Sequence, residues 1–441
     1  MTNFFSDNPD LVFHFSNLEL RDIVDLIECD YEKNPAQAES LSGPDNYEEA
    51  MEIYRDSVEL LGDISANYVA PRSLSIDADG SELKDGRVCY SKGSDECRRK
   101  LAESGFMGVM LPREYGGSAF PATIYMMMIE ILSRADASMM TLFGYQDVGD
   151  LIARFGTKEQ GRKYLPGLAS GDSIGAIVLS EPGAGSDLQS IKVKASEVEP
   201  GSWVLNGVKH FISNGGGDVL MVLARSEEKM ANILGLSLFV CPKSDAVKVA
   251  KVEEKMGLHG SPTCEVIFDN APVEMIGRRK FGLARYILES LNQARFSVAA
   301  QALGIAEGAW RQASEYADQR VQFGQTIGRF PAVRDLLDGM QLELLSSRAM
   351  LYESIQWLDL KVRLEEALEH GRIPAESRDE ASARLREATR YVNLLSPRQV
   401  LCHRIGNPRL PQRAAGLRWA RIHARNRDRT ACSRRANHDD L

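Results

Sequence analysis

The residues best suited to chemistry fall in three short stretches of this sequence. Ser180-Glu-Pro-Gly-Ala-Gly-Ser-Asp187 combines two glycines, which permit positive φ and close backbone approach, with hydroxyl and carboxylate groups that can add hydrogen bonds. Taken alone, such a loop is more often a tight surface turn that binds nothing. It is not alone. Lys209-His-Phe-Ile-Ser-Asn-Gly215 comes soon after, and Arg320-Val-Gln-Phe-Gly324 closes a long helical pattern, where a cation can meet a phosphate. Neither G-x-G-x-x-G nor a P-loop occurs, so a nicotinamide enzyme or an NTPase has no support.

These stretches need elements to hold them. Residues 1–45 are an acidic leader whose Leu18, Leu20, Ile23, Val24 and Leu26 suit one amphipathic helix. Residues 46–173 read as a helical domain, with helices over Glu48–Ser65 and Ala122–Arg134; the Met-rich run in the second is expected to be packed core. Between helices, Leu111-Pro-Arg-Glu-Tyr-Gly-Gly117 is a breaker-rich loop. Residues 174–276 change to short strands: Ala176–Leu179, Val219–Ala224 and Leu236–Val240, with Asn206-Gly207 as a hairpin signal between two apolar runs. Helices resume over 277–396, at Leu283–Gln319, Ala332–Glu369 and Glu376–Leu395. Helices, then strands, then helices predict an α+β chain, mostly α, with a central β domain.

Composition narrows the class. With 441 residues, 44% hydrophobic and 26% charged, the chain has room for several domains around large cores. Seven scattered cysteines form no C-x-x-C pair, which reads as reduced thiols and neither a disulfide framework nor a zinc site. No basic-then-apolar leader and no membrane-length apolar run is present, so a cytoplasmic location is expected. The net charge of −9 conceals an asymmetry: Arg398–Leu441 holds eleven Arg, no Lys and three acids, which leaves the rest strongly acidic. Basic nucleic-acid arms usually mix Lys with Arg, and no nucleic-acid partner is expected.

The order E-P-G-A-G-S-D, K-x-F-I-S-N-G and R-x-Q-F-G, with P-R-E-Y-G-G upstream, resembles the acyl-CoA dehydrogenase family from about residue 46 to 396. The resemblance implies an N-terminal helical domain, a central β-barrel-like domain and a C-terminal four-helix bundle, with FAD as cofactor. It implies an acyl-CoA substrate, an electron acceptor such as an electron-transfer flavoprotein, and a homo-oligomer. By the same resemblance Ile177, Leu179, Ser180, Gly185 and Ser186 would lie along the flavin, with Ser186 also near the CoA. Phe211, Ile212 and Ser213 would pack on the isoalloxazine, Phe211 and Ser213 standing where many relatives have Trp and Thr. Arg320 and Phe323 would reach the FAD of a neighbouring subunit, and Asn292 and Arg295 would line the acyl-CoA channel. Relatives usually have Gln after the position of Phe330, where this chain has Pro331. His259, in Leu258-His-Gly-Ser-Pro-Thr-Cys264, is expected to be a loop histidine without a catalytic part. That loop and the acidic leader resemble the branch that handles 3-methylmercaptopropionyl-CoA. An acyl-CoA oxidase, or a flavin and acyl-CoA binder without catalysis, would share the same motifs.

The catalytic residue is unknown from sequence. The family's base is Glu in a C-terminal I-Y-E-G-T or a residue on the helix at the position of Ala294, and alanine cannot serve. I-Y-E-G-T does not occur; the Arg-rich stretch 397–441 stands there instead. Read one base further along, the codons of Ser433–Leu441 are compatible with R-D-V-R-I-T-T-I, those of Arg418–Asn426 with G-G-x-G-F-M-x-E, and those of Pro397–Asn407 with A-K-Y-Y-A-T-E-S-A. A frameshift near Pro397 is therefore the expected origin of this aberrant tail.

Overall fold

The computed structural model describes residues 2–29 and 43–395. Asn8 caps helix α1 (Pro9–Ser16) by accepting the Leu11 N–H, and Pro9 suits the first turn because its missing N–H is not needed there. Asn17 ends α1, and α2 (Arg21–Ile27) starts afresh. The described part of the leader thus holds two short helices: α2 carries Ile23, Val24 and Leu26 of the expected one, and α1 precedes it. Leu18 and Leu20 are buried from the link between them.

The helical layer continues through α3 (Tyr47–Ile64), α4 (Ser73–Asp79), a small hairpin of β1 (Glu82–Lys84) and β2 (Arg87–Cys89), and α5 (Lys92–Glu103). It is completed by α6 (Ala122–Ala135), α7 (Ala137–Phe143), α8 (Gln146–Phe155) and α9 (Lys158–Ser170). Ala122–Ser133 of α6 are all buried, so the Met-rich run is core packing. Arg113, in the breaker-rich loop, grips Glu28 with both guanidinium nitrogens at 2.6 and 2.8 Å and fastens the leader to this layer.

Seven strands come next: β3 (Gly175–Val178), β4 (Lys194–Glu199), β5 (Ser202–Ser213), β6 (Val219–Arg225), β7 (Leu236–Pro242), β8 (Val247–Val252) and β9 (Thr263–Ile276). Their order is β3-β6-β4-β5-β9-β7, and β7 pairs again with β6, which closes the sheet; β8 flanks β9. β6 and β7 are nearly all apolar, Arg225 and Ser237 excepted, because both faces are covered. Leu220, Val222 and Phe239 fill the sheet's own core, while Met221, Leu223, Leu238 and Val240 join the helical core. Asn206-Gly207 does not make the expected hairpin turn: β5 runs through it, at a bulge against β9 where Asn206 bonds Asn270. The β4–β5 turn falls instead at Gly201, at φ 82°. Gly207 answers to close packing, since a Cβ there would lie 2.9 Å from the Val193 side chain.

A π-helical turn, Gly282–Ile287, leads into α10 (Leu288–Gln319). Then come a two-residue ribbon, β10 (Val321–Gln322) and β11 (Gln325–Thr326), and helices α11 (Pro331–Glu369) and α12 (Arg378–Leu395). Pro331 opens α11 at its first position. Three long helices of the expected bundle are described; the Arg-rich tail, with the frameshift reading that falls on it, lies outside the described residues.

One buried cation joins these layers. Arg348 of α11 is 1% exposed, with Nε 2.8 Å from Glu130 of α6 and Nη2 2.8 Å from Glu307 of α10, and it also bonds Asp10 of α1. Tyr352 donates to the other Glu130 oxygen at 2.7 Å. Burial pushes the Glu130 carboxyl up, against the opposing pull of Arg348. Removing the cation strands the carboxylates in the core. Arg348→Met is expected to cost about 3–5 kcal/mol of stability, read as a lower urea midpoint.

Candidate functional site

β3 delivers Ile177, and the chain beyond it delivers Leu179, Ser180 and the glycine-rich loop 181–187. Ile177 and Leu179 are half-buried against the helical core, whereas Gly185 and Ser186 are exposed. A Cβ added at Gly183 or Gly185 would meet nothing within 4 Å, so the loop has an open flank.

The loop is fastened from behind by β5. Lys209, wholly buried, donates Nζ to the Leu179 carbonyl at 2.7 Å and stands 3.0 Å from a Glu181 carboxylate oxygen. Glu181 in turn accepts the backbone N–H groups of Lys192 and Val193, and the His210 N–H donates to the Ser180 carbonyl at 2.9 Å. Burial pulls the Lys209 ammonium down to about 8, while the Glu181 carboxylate opposes that shift. Sequence reasoning does not single out this pair. The available signal was a lysine sharing the inward register of Leu205, where a charge needs a partner.

Past Lys209, β5 bulges against β9, and the bulge re-aims the three residues after it. Phe211 takes φ 59° and is 61% exposed, Ile212 is buried and Ser213 is exposed. A bare aromatic ring in a left-handed backbone conformation is unfavourable on both counts in the chain alone. The His210 N–H bond to the Ser180 carbonyl sets this ring near the start of the open glycine loop, and such a pairing could hold a flat aromatic cofactor.

α10 carries the remaining predicted residues, at opposite ends. Near its start Arg295 donates to Asn292, and both are exposed; Ala294 is half-buried. The positions that share the Ala294 face are Ser290, Leu291, Ser297 and Val298, with no carboxylate among them. Glu289, the nearest acid along the helix, is held by Arg154 and Arg285. At the far end Arg320 caps the helix, and the ribbon turn puts Phe323 at φ 51° and 93% exposed. At about 1.5 Å per residue, roughly 40 Å of helix separates Asn292 from Arg320. One chain does not bring these two sets together.

His259 is occupied by structure: Nδ1 lies 2.7 Å from Asp77 and Nε2 2.7 Å from the Lys255 carbonyl. A cleft of about 530 Å³ between α9 and the sheet, lined by Lys163, Trp203 and Arg279 among others, contains none of the predicted site residues.

Known proteins show the same three-part division. Models of the acyl-CoA dehydrogenase N-terminal, middle and C-terminal domains match residues 61–172, 176–271 and 284–368. An acyl-CoA dehydrogenase of Bacillus subtilis (strain 168) is 38% identical over 263 residues, 58% of this chain and 69% of that protein. The 3-methylmercaptopropionyl-CoA dehydrogenase of Ruegeria pomeroyi is 31% identical over 359 residues, 75% of this chain and 59% of that one. Butyryl-CoA dehydrogenase from Megasphaera elsdenii superposes with a TM-score of 0.63 at 26% identity, covering 78% of this chain and 96% of that chain.

Lys209 makes a pH signature. Its pKa is lower folded than unfolded, so between about pH 8 and 10.5 the unfolded chain holds a proton that the folded chain has lost. Stability from this group therefore rises with pH across that window, by an amount on the order of 3 kcal/mol at most. Urea titrations from pH 7.5 to 10.5 are expected to show a shallower rise for Lys209→Met than for the unaltered chain.

Proposed function

The chain belongs to the acyl-CoA dehydrogenase family, and from that premise we propose that it is built to bind FAD and to dehydrogenate an acyl-CoA thioester between its α and β carbons. The observation that carries the reading is the pairing of the Lys209-anchored glycine loop with the exposed Phe211 ring on the same strand. Phe211, Ile212 and Ser213 would hold the flavin ring, and the loop from Ile177 to Ser186 its chain. Bound there, FAD supplies the acceptor for the β-hydride. Asn292 and Arg295 line the thioester's path, and Arg320 and Phe323, too distant along α10 to serve the same site, reach the cofactor of a second copy. The functional unit on this reading is a homo-oligomer of chains divided at 173/174 and 276/277.

An electron-transfer flavoprotein is the proposed acceptor, and the likeness over 359 residues makes 3-methylmercaptopropionyl-CoA the first thioester to assay. Oxygen consumption in place of acceptor reduction would mark an oxidase. Among the described residues no helix is long and apolar enough to cross a membrane, and a cytoplasmic location is part of the proposal.

A second reading concerns the chain with its Arg-rich tail. The α-proton of a thioester is a very weak acid, and its removal needs a positioned carboxylate. The Ala294 face offers none, and I-Y-E-G-T does not occur in the sequence. The 441-residue chain, reconstituted with FAD, is therefore expected to reduce an artificial acceptor about 10²–10⁴-fold more slowly than a form with the shifted frame restored. Equal turnover of the two forms would show that the base is elsewhere.

In the frame-restored protein, Arg320→Ala is expected to weaken FAD binding by roughly 1.5–3 kcal/mol, the loss of one charge-assisted contact to phosphate. Fluorescence titration of the apoprotein with FAD measures it, and unchanged affinity would remove Arg320 from the site.

A further inference from the structure

Next to the Phe211 platform, side chains from two strands and from the chain just beyond a third converge on one point. His210 comes directly after Lys209 on β5, Glu265 faces the β5 bulge from β9, and Glu253 leaves the end of β8. The His210 Nε2 lies 2.8 Å from a Glu253 oxygen and 3.3 Å from a Glu265 oxygen, and the three ligand atoms lie within 4.8 Å of one another. The Glu253 side chain is 8% exposed. One of its oxygens takes Lys251 Nζ at 2.6 Å, but the other, Oε1, is buried and accepts no aligned hydrogen bond although the imidazole nitrogen is so close. An imidazolium paired with this acid would aim its N–H at that oxygen. With that bond misaligned, the imidazole nitrogen and the carboxylate oxygen are both left available to one shared ion.

From this geometry we infer that His210, Glu253 and Glu265 form a binding site for a borderline divalent cation of the zinc type, distinct from the flavin and acyl-CoA contacts. Bonds of about 2.0–2.1 Å in a tetrahedral site put ligand atoms roughly 3.3 Å apart; the His210–Glu265 pair stands at that distance, and the 2.8 Å between His210 and Glu253 would open by about half an ångström to take the ion. An imidazole nitrogen selects against calcium and magnesium, which take oxygen ligands. His210 and Glu265 are 21% and 30% exposed, which leaves an entry path and a fourth position for water. The ion ties β8 and β9 to the bulge that carries Phe211, whose ring centroid is 4.1 Å from that of His210.

The test is isothermal titration of the chelator-treated, full-length chain with zinc chloride. A site lost in His210→Ala and weakened in Glu265→Gln and Glu253→Gln supports the inference; because loss of an outer partner alone costs about 10–100-fold in affinity, loss of a direct ligand should cost at least as much. Circular dichroism checks that each variant is folded, and if His210→Ala is not, the two Gln variants decide. Absence of zinc binding overturns the inference. So does binding that all the variants retain, since they keep every other imidazole and thiol of the chain. The readout does not involve flavin or turnover, so its failure leaves the proposed dehydrogenation standing.

Discussion

The Arg348 cluster is the constraint on which the arrangement of layers rests. A guanidinium with 1% exposure cannot exist in a protein core unless carboxylates surround it, and here they come from α1, α6 and α10 while the arginine comes from α11. Each partner is fixed by the others. Apolar packing between α6 and α10 would tolerate sliding; a set of directed charge-assisted bonds does not. The register thus fixed places the start of α10, with Asn292 and Arg295, beside the helical layer that also packs on β6 and β7.

The same logic recurs at smaller scale in the sheet. Lys209 and Glu181 are a buried pair whose other bonds all go to backbone: the Leu179 carbonyl on one side, two N–H groups on the other. The pair therefore shapes a loop and does not simply neutralise itself. The glycines leave that loop free to take its form, and the ion pair chooses the form it takes.

Much of this was legible in the residues. The Met-rich run declared itself as core by its unbroken apolar stretch from Ile124 to Ile129, and the mostly apolar runs Val219–Ala224 and Leu236–Val240 declared themselves as strands. What misled was local chemistry with two meanings. Asn206-Gly207 suits a hairpin turn, but it suits a bulge with a close backbone neighbour equally well, and only Val193 and Asn270 decide between them. The leader's spacing from Leu18 to Leu26 suits one helix, and α2 carries Ile23, Val24 and Leu26, but that spacing does not reveal the separate helix α1, which the Asn17 side chain closes on Phe13. The Phe323-Gly324 turn went unread because its first residue is a phenylalanine at positive φ, which no turn rule favours. The Arg348 cluster was invisible for another reason: Arg348 and Glu130 are 218 residues apart, and no window of sequence spans them.

β3 pairs in parallel with β6, and the intervening chain holds the glycine loop and the whole β4–β5 hairpin. A parallel partner cannot be reached by a tight turn, so its closure must wait for the segment between. Lys209 also lies beyond the loop that it anchors. During synthesis, a nascent chain released as far as residue 200 carries the complete glycine-rich sequence and the Lys192 and Val193 N–H groups that Glu181 accepts, but neither Lys209 nor His210, which fasten the loop from behind. The Lys209 contacts can form only once β5 has emerged, which places the fastening of this loop late in the molecule's own assembly.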